Sequence, residues 1–149
     1  MKALLIIDVQ KGYIEKYAEC LLSRINQRIQ YAVQNEELII YVKNVNRLRS
    51  GTKINELAEH LNVCSSYVVC KETASAFSNN ELLDILRQNQ VTEIEIVGID
   101  GNSCVASTAI DAQRQGYKVI LPCEYIGVKN IVRFEKKKLS FAAKGITAV

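Results

Sequence analysis

Three residues of this chain carry groups that could together open a carbonyl compound: the thiol of Cys104, the carboxylate of Asp8 and the ammonium of Lys71. They are far apart in sequence, yet each closes or follows a short apolar run: residues 3–7 before Asp8, 67–70 before Lys71, and 94–99 with a turn from Gly98 to Gly101 before Cys104. If those runs are parallel strands, their carboxyl ends share one edge of a sheet, the edge at which open α/β sheets bind ligands. A nucleophile, a base to take its proton and a cation to orient both are what covalent acyl transfer requires. Taken singly, each residue has a plainer account. Free cysteine is among the most buried residue types, and polar residues at strand ends solvate loops. Cys104 opens a helix-patterned segment, so unpaired N–H groups and the positive helix end predict a depressed thiol pKa there. On that basis Cys104 should be alkylated ahead of Cys20, Cys64, Cys70 and Cys123.

Strand and helix patterns alternate along the whole chain. Residues 3–7 are apolar without interruption, as expected of a central parallel strand covered on both faces. Residues 18–35 read as a helix, with Leu21, Leu22, Ile25, Ile29, Ala32 and Val33 on one stripe and Arg24, Arg28 and Gln30 turned away. A second strand is predicted over 38–42, a polar loop over 44–53 and a short helix near 54–60. The third strand covers 67–70. Ser78 and Glu81 have the spacing of a capping box, predicting a helix to about residue 88. The fourth strand (94–99), its crossover helix (103–115) and the fifth strand (118–121) form a βαβ unit that ends at Pro122. A last helix is expected over 131–143 and an edge strand over 146–149.

Composition narrows the function classes. A chain of 149 residues suits one domain, 1–149, which buries roughly 70% of the surface its unfolded form exposes. A net charge of +3 gives no case for nucleic acid, and Lys136, Lys137 and Lys138 read as a solvated helix face. No apolar stretch approaches the ~20 residues of a membrane span, and no signal-peptide pattern opens the sequence. Five cysteines without a C-x-x-C pair, beside a single histidine, His60, read as the reduced thiols of a cytoplasmic protein rather than a disulfide framework or zinc site.

Three blocks, in order, resemble the isochorismatase-like cysteine hydrolases, a family that includes nicotinamidases, N-carbamoylsarcosine amidases and ureidoacrylate amidases. The first, 4-LLIIDVQKGY-13, is similar to an apolar strand followed by D-x-Q-x-x-[F/Y]. The second, 68-VVCKETASAF-77, matches strand, K, three residues, S-A-F. The third, 97-VGIDGNSCVASTAIDAQRQGYKV-119, matches G-[V/I]-x-x-x-x-C-V-x-x-T-A-x-D-A-x-x-x-G-Y-x-V. A fourth stretch, 51-GTKINELAEHL-61, resembles a shortened G-T-x-x-x-E-I-x-x-E-L segment. The resemblance implies an α/β fold with an open six-stranded parallel sheet and helices on both faces. It also implies catalytic Asp8, Lys71 and Cys104, an oxyanion site at the backbone N–H groups of Asp100 and Cys104, and a pocket lined by Gln10, Tyr13 and Phe77. A cis peptide between Ile99 and Asp100 and a homodimer or higher homo-oligomer are expected with it. Relatives that bind a metal use a D-x-H element where this chain reads 45-VNRLR-49, which argues against a metal and against nicotinamidase activity; no cofactor is expected. The reading is therefore a metal-free cysteine hydrolase that cleaves a small amide or related C–N bond through a thioester. The alternative is a member that has lost catalysis and acts as a binding or assembly subunit. Its signature would be short loops and Asp100, a carboxylate beside the oxyanion site.

Overall fold

The structure, a computed structural model, describes residues 1–45 and 55–149. The strands are β1 (Lys2–Ile7), β2 (Leu38–Asn44), β3 (Val68–Lys71), β4 (Glu93–Ile99), β5 (Lys118–Leu121), β6 (Ile126–Gly127) and β7 (Thr147–Ala148). The helices are α1 (Cys20–Gln34), α2 (Asn80–Gln88), α3 (Cys104–Arg114) and α4 (Ile131–Ala143). The sheet runs β3-β2-β1-β4-β5-β7, with every pairing parallel. This is the expected six-stranded α/β sheet, with one addition. Beyond the point where β5 stops pairing at Glu95, the two-residue β6 takes over the same edge of β4 opposite Gly98 and Ile99. Nothing in the periodicity marks so short a strand.

Side chains alternate across the sheet, and the two faces are covered unequally. Leu4 and Ile6 of β1 pack under α1 with Leu21, Ile25, Ile29 and Ala32. Ala3, Leu5 and Ile7 face the other way, against Leu82 and Leu86 of α2, Val105 and Ala109 of α3, and Phe134 and Phe141 of α4. β1 is therefore covered on both faces and paired on both edges, as its unbroken apolar run requires. Among the described residues, no helix is long and apolar enough to cross a membrane.

Several local expectations are corrected. Arg28 is buried, not turned to solvent: it pairs with Glu95 of β4 and, at 2.7 Å, with Glu37. A carboxylate inside a central strand needs a partner, and Arg28 supplies it. Val33, placed on the apolar stripe, is exposed. The cap of α2 is Asn79, whose side chain accepts from the Glu81 N–H at 3.0 Å, while Ser75 caps a 3-10 turn over Ala76–Ser78. The loop expected over 44–53 lies outside the described residues from 46 onward. The short helix expected near 54–60 does not continue through residues 56–60, where Leu57 instead bridges Gln10 in antiparallel sense.

Candidate active site

Parallel pairing brings the carboxyl ends of β1, β2, β3 and β4 to one edge, and the three candidate residues converge there. Asp8 follows β1 with φ 54, a left-handed conformation that Asp and Asn tolerate better than most residues. Lys71 is the last residue of β3 and is buried. Cys104 is the first residue of α3, and Thr108 one turn on accepts a hydrogen bond from the Ala76 N–H at 3.0 Å, tying the 3-10 turn to the helix. The Lys71 ammonium donates to Asp8 Oδ2 at 3.2 Å, to Cys104 Sγ at 3.3 Å and to the Thr73 carbonyl at 3.0 Å. Its three protons are thus all used.

Close approach of two strands underlies this geometry. Gly98 of β4 lies opposite Ile7, with φ +112, and a Cβ on it would fall 2.2 Å from the Ile7 carbonyl oxygen. Two residues on, the Ile99–Asp100 peptide is cis, as expected. Around the turn, the Gly101 N–H donates to Gly127, and the Ser103 and Val105 N–H groups both donate to the Asp100 carbonyl. The N–H groups of Asp100 and Cys104 have no hydrogen-bond partner among the described residues.

The Asp100 side chain is fully engaged. Oδ1 accepts from the Asn102 N–H at 2.8 Å, and Oδ2 accepts from the Tyr17 hydroxyl at 3.0 Å and the Lys129 N–H at 3.1 Å. Burial, then the charge of Asp100, pushes the Tyr17 phenol well above its usual pKa, so it stays protonated and donates. The carboxylate thereby clamps the turn to the segment before α1 and to the loop after β6.

Protonation follows burial more than position. Burial pushes the Asp8 carboxyl up, with the Lys71 charge and then Cys104 opposing it; Asp8 Oδ1 is buried without a hydrogen-bond partner. Burial and then the charge of Asp8 raise the Cys104 thiol, against the pull of Lys71. Against the depressed thiol expected at the helix end, desolvation and a neighbouring carboxylate outweigh the one cation. Cys104 is half-buried, whereas Cys20, Cys64 and Cys70 are exposed, so order of alkylation alone does not mark the nucleophile.

Asp8, Tyr13, Tyr17, Asp100, Cys104 and Lys129 line a cavity of about 270 Å³, with Lys16, Asn44, Ile99 and Ser103 completing its wall. That is roughly nine waters' share of liquid volume, room for a small molecule. Tyr13 stands where expected; Gln10 and Phe77 do not line this cavity. Gln10 is fully buried, its amide donating to the Asn44 carbonyl at 3.0 Å and accepting from the Asn44 N–H at 2.7 Å, so it laces the end of β1 to the end of β2. Phe77 packs on the core face and lies 6.5 Å from the Tyr117 ring. Lys16, Tyr17 and Lys129 went unnoticed in the sequence: the first two sit at the end of a 3-10 turn over Ile14–Lys16, and the third follows the unmarked β6.

The model of the isochorismatase domain matches residues 2–130. The chain belongs to the isochorismatase family. A relative, an isochorismatase family protein of Bacillus subtilis (strain 168) named YaaI and described as uncharacterized, is 30% identical over 84% of this chain and 80% of its own. Among solved structures, the nicotinamidase of Staphylococcus aureus superposes with a TM-score of 0.86 at 24% identity, covering 99% of this chain and 96% of that one. The N-carbamoylsarcosine amidase of Thermoplasma acidophilum does so with 0.87 at 20% identity, covering 99% and 94%. The family includes hydrolases such as nicotinamidase and N-carbamoylsarcosine amidase, and their fold is the one seen here. Of the stretch 45–49, which reads VNRLR rather than D-x-H, residues 46–49 lie outside the described residues. His60, the chain's one histidine, lies on the surface beside α1, where its carbonyl accepts from Asn26 at 2.8 Å, and does not line the Cys104 cavity.

Proposed function

We propose that this chain is a metal-free cysteine hydrolase that cleaves a small amide or related C–N bond through a thioester at Cys104. The observation that carries this reading is the buried Lys71 ammonium held between Asp8 Oδ2 and Cys104 Sγ, two groups whose residues both line one small cavity. Asp8 takes the thiol proton as Sγ attacks the carbonyl carbon. The oxyanion forms against the N–H groups of Asp100 and Cys104, where each preorganised donor contributes about 3–4 kcal/mol. Asp8 returns the proton to the leaving amine, then takes one from the water that releases the acyl group. Engagement of both Asp100 oxygens supports this reading over loss of catalysis, because that carboxylate is held by Tyr17, Asn102 and Lys129.

A panel of small amides, ureido acids and imides, quenched during turnover and analysed by peptide mass, is the test. An acyl mass on the Cys104 peptide, lost in Cys104→Ala, is expected. Turnover that survives Cys104→Ala would remove Cys104 from the mechanism, whereas a panel member that binds without ever acylating Cys104 or being hydrolysed would favour the non-catalytic subunit instead.

Chelation gives an independent check. Stripping the protein with a strong chelator should leave turnover and melting temperature unchanged; activity lost on stripping and recovered with zinc or iron would overturn the metal-free assignment.

A further inference from the structure

We infer that the cavity selects an anionic substrate: a small amide or ureido compound whose carboxylate is held by Lys16 and Lys129 while its carbonyl meets Cys104. The inference rests on the hydrolase reading and adds the charge of what is hydrolysed. Two aspartates and two lysines are among the residues that line the cavity. Both carboxylates are committed, Asp8 to Lys71 and Asp100 to Tyr17 and two backbone N–H groups. Among the described residues, neither Lys16 nor Lys129 pairs with a carboxylate, and the Lys129 ammonium instead sits 5.5 Å from the centroid of the Tyr17 ring. The two lysines come from separate elements: Lys16 ends the 3-10 turn after β1, and Lys129 lies in the loop after β6. Asp100 fastens both, through Tyr17 on one side and the Lys129 N–H on the other, so the cations belong to the built wall of the cavity rather than to unrelated surface. A cleft lined by one free sign of charge concentrates ligands of the opposite sign. The cavity's size restricts those ligands to small acids.

Alkylation of Cys104 by two reagents of equal reach and different charge tests this. Iodoacetate and iodoacetamide both alkylate Sγ, an S–C bond forming at the methylene carbon as the C–I bond breaks and iodide leaves with its electrons, and their rate ratio at one residue cancels that thiol's own reactivity. By peptide mapping, the iodoacetate-to-iodoacetamide ratio at Cys104 should exceed the ratio at the exposed Cys64 in the same sample. It should fall about 10-fold in Lys16→Met/Lys129→Met. The same loss of charge on α4 and just past it, in Lys136→Met/Lys144→Met, should leave it unchanged. Raising the salt concentration should shrink the preference, because both lysines are exposed and their charges are screened. A ratio at Cys104 no higher than at Cys64, or one untouched by the Lys16/Lys129 pair, overturns anion selection and leaves the nucleophile standing. Absence of any iodoacetamide labelling at Cys104 across the alkaline range overturns the nucleophile, and anion selection with it.

Discussion

Asp8→Asn should cut turnover by at least about 10³-fold, the range lost when a positioned acid–base group is removed, while making Cys104 easier to alkylate. The two effects have one origin. Ionised Asp8 is the route by which the thiol proton leaves, yet its charge is also, after burial, what holds the Cys104 thiol up. Asparagine keeps the size of the side chain and tolerates φ 54, so the turn after β1 is retained. With the charge gone and Lys71 still 3.3 Å from Sγ, the thiol pKa falls, and the pH profile of iodoacetamide labelling at Cys104 shifts to lower pH. Lys71→Met acts the other way: it removes the opposing cation, so labelling at a given pH slows. Parallel loss of turnover and labelling in Asp8→Asn would show that Asp8 only shapes the site, and sustained turnover would remove it from the mechanism.

The second large effect concerns stability. Gly98→Ala should destabilise the fold by about 3–5 kcal/mol, combining overpacking against backbone with an unfavourable positive φ. The added Cβ would meet three backbone atoms of Ile7, all closer than 3.0 Å, and a strand paired on both edges has no room to retreat. Gly116 provides the comparison. Its φ is +93, but a Cβ there meets nothing within 4 Å, so Gly116→Ala should cost only the conformational term, about 1–2 kcal/mol. Urea unfolding of the two variants separates the close approach from the backbone preference. Equal midpoints would mean that β1 and β4 can part without loss, which the geometry of the site forbids. With total stabilities typically about 5–15 kcal/mol, Gly98→Ala should also lower the yield of folded protein.

What the sequence made visible were the features that local pattern controls. Run 3–7 reads as a central strand and 94–99 as the fourth strand, and a parallel sheet then brings Asp8, Lys71 and Cys104 to one edge whatever the loops do. Features set by tertiary packing stayed hidden. The amide of Gln10 looked available to a ligand, but both of its polar ends are satisfied by Asn44. Glu95 gave no sign that it would draw Arg28 inward, since a helix stripe carries no record of the strand it covers. Lys129 reaches the cavity only because β6 pairs with Gly98 and Ile99, and two residues leave no periodicity to read. The thiol of Cys104 is pushed up rather than down because burial, a property of the assembled fold that the pattern does not record, and then the charge of Asp8 outweigh the pull of Lys71.

The position of β1 has a consequence for how the chain is made. It is early in the sequence but central in the sheet, so its partners β2 and β4 must both be synthesised before its edges are covered. At ~5–20 residues per second, the interval between residues 7 and 99 lasts on the order of ten seconds. Throughout it, 3-ALLII-7 presents an apolar strand with at least one open hydrogen-bonding edge, the kind of segment that pairs with other chains. The strand that delivers Asp8 to the site is therefore also the part of the nascent chain most in need of cover.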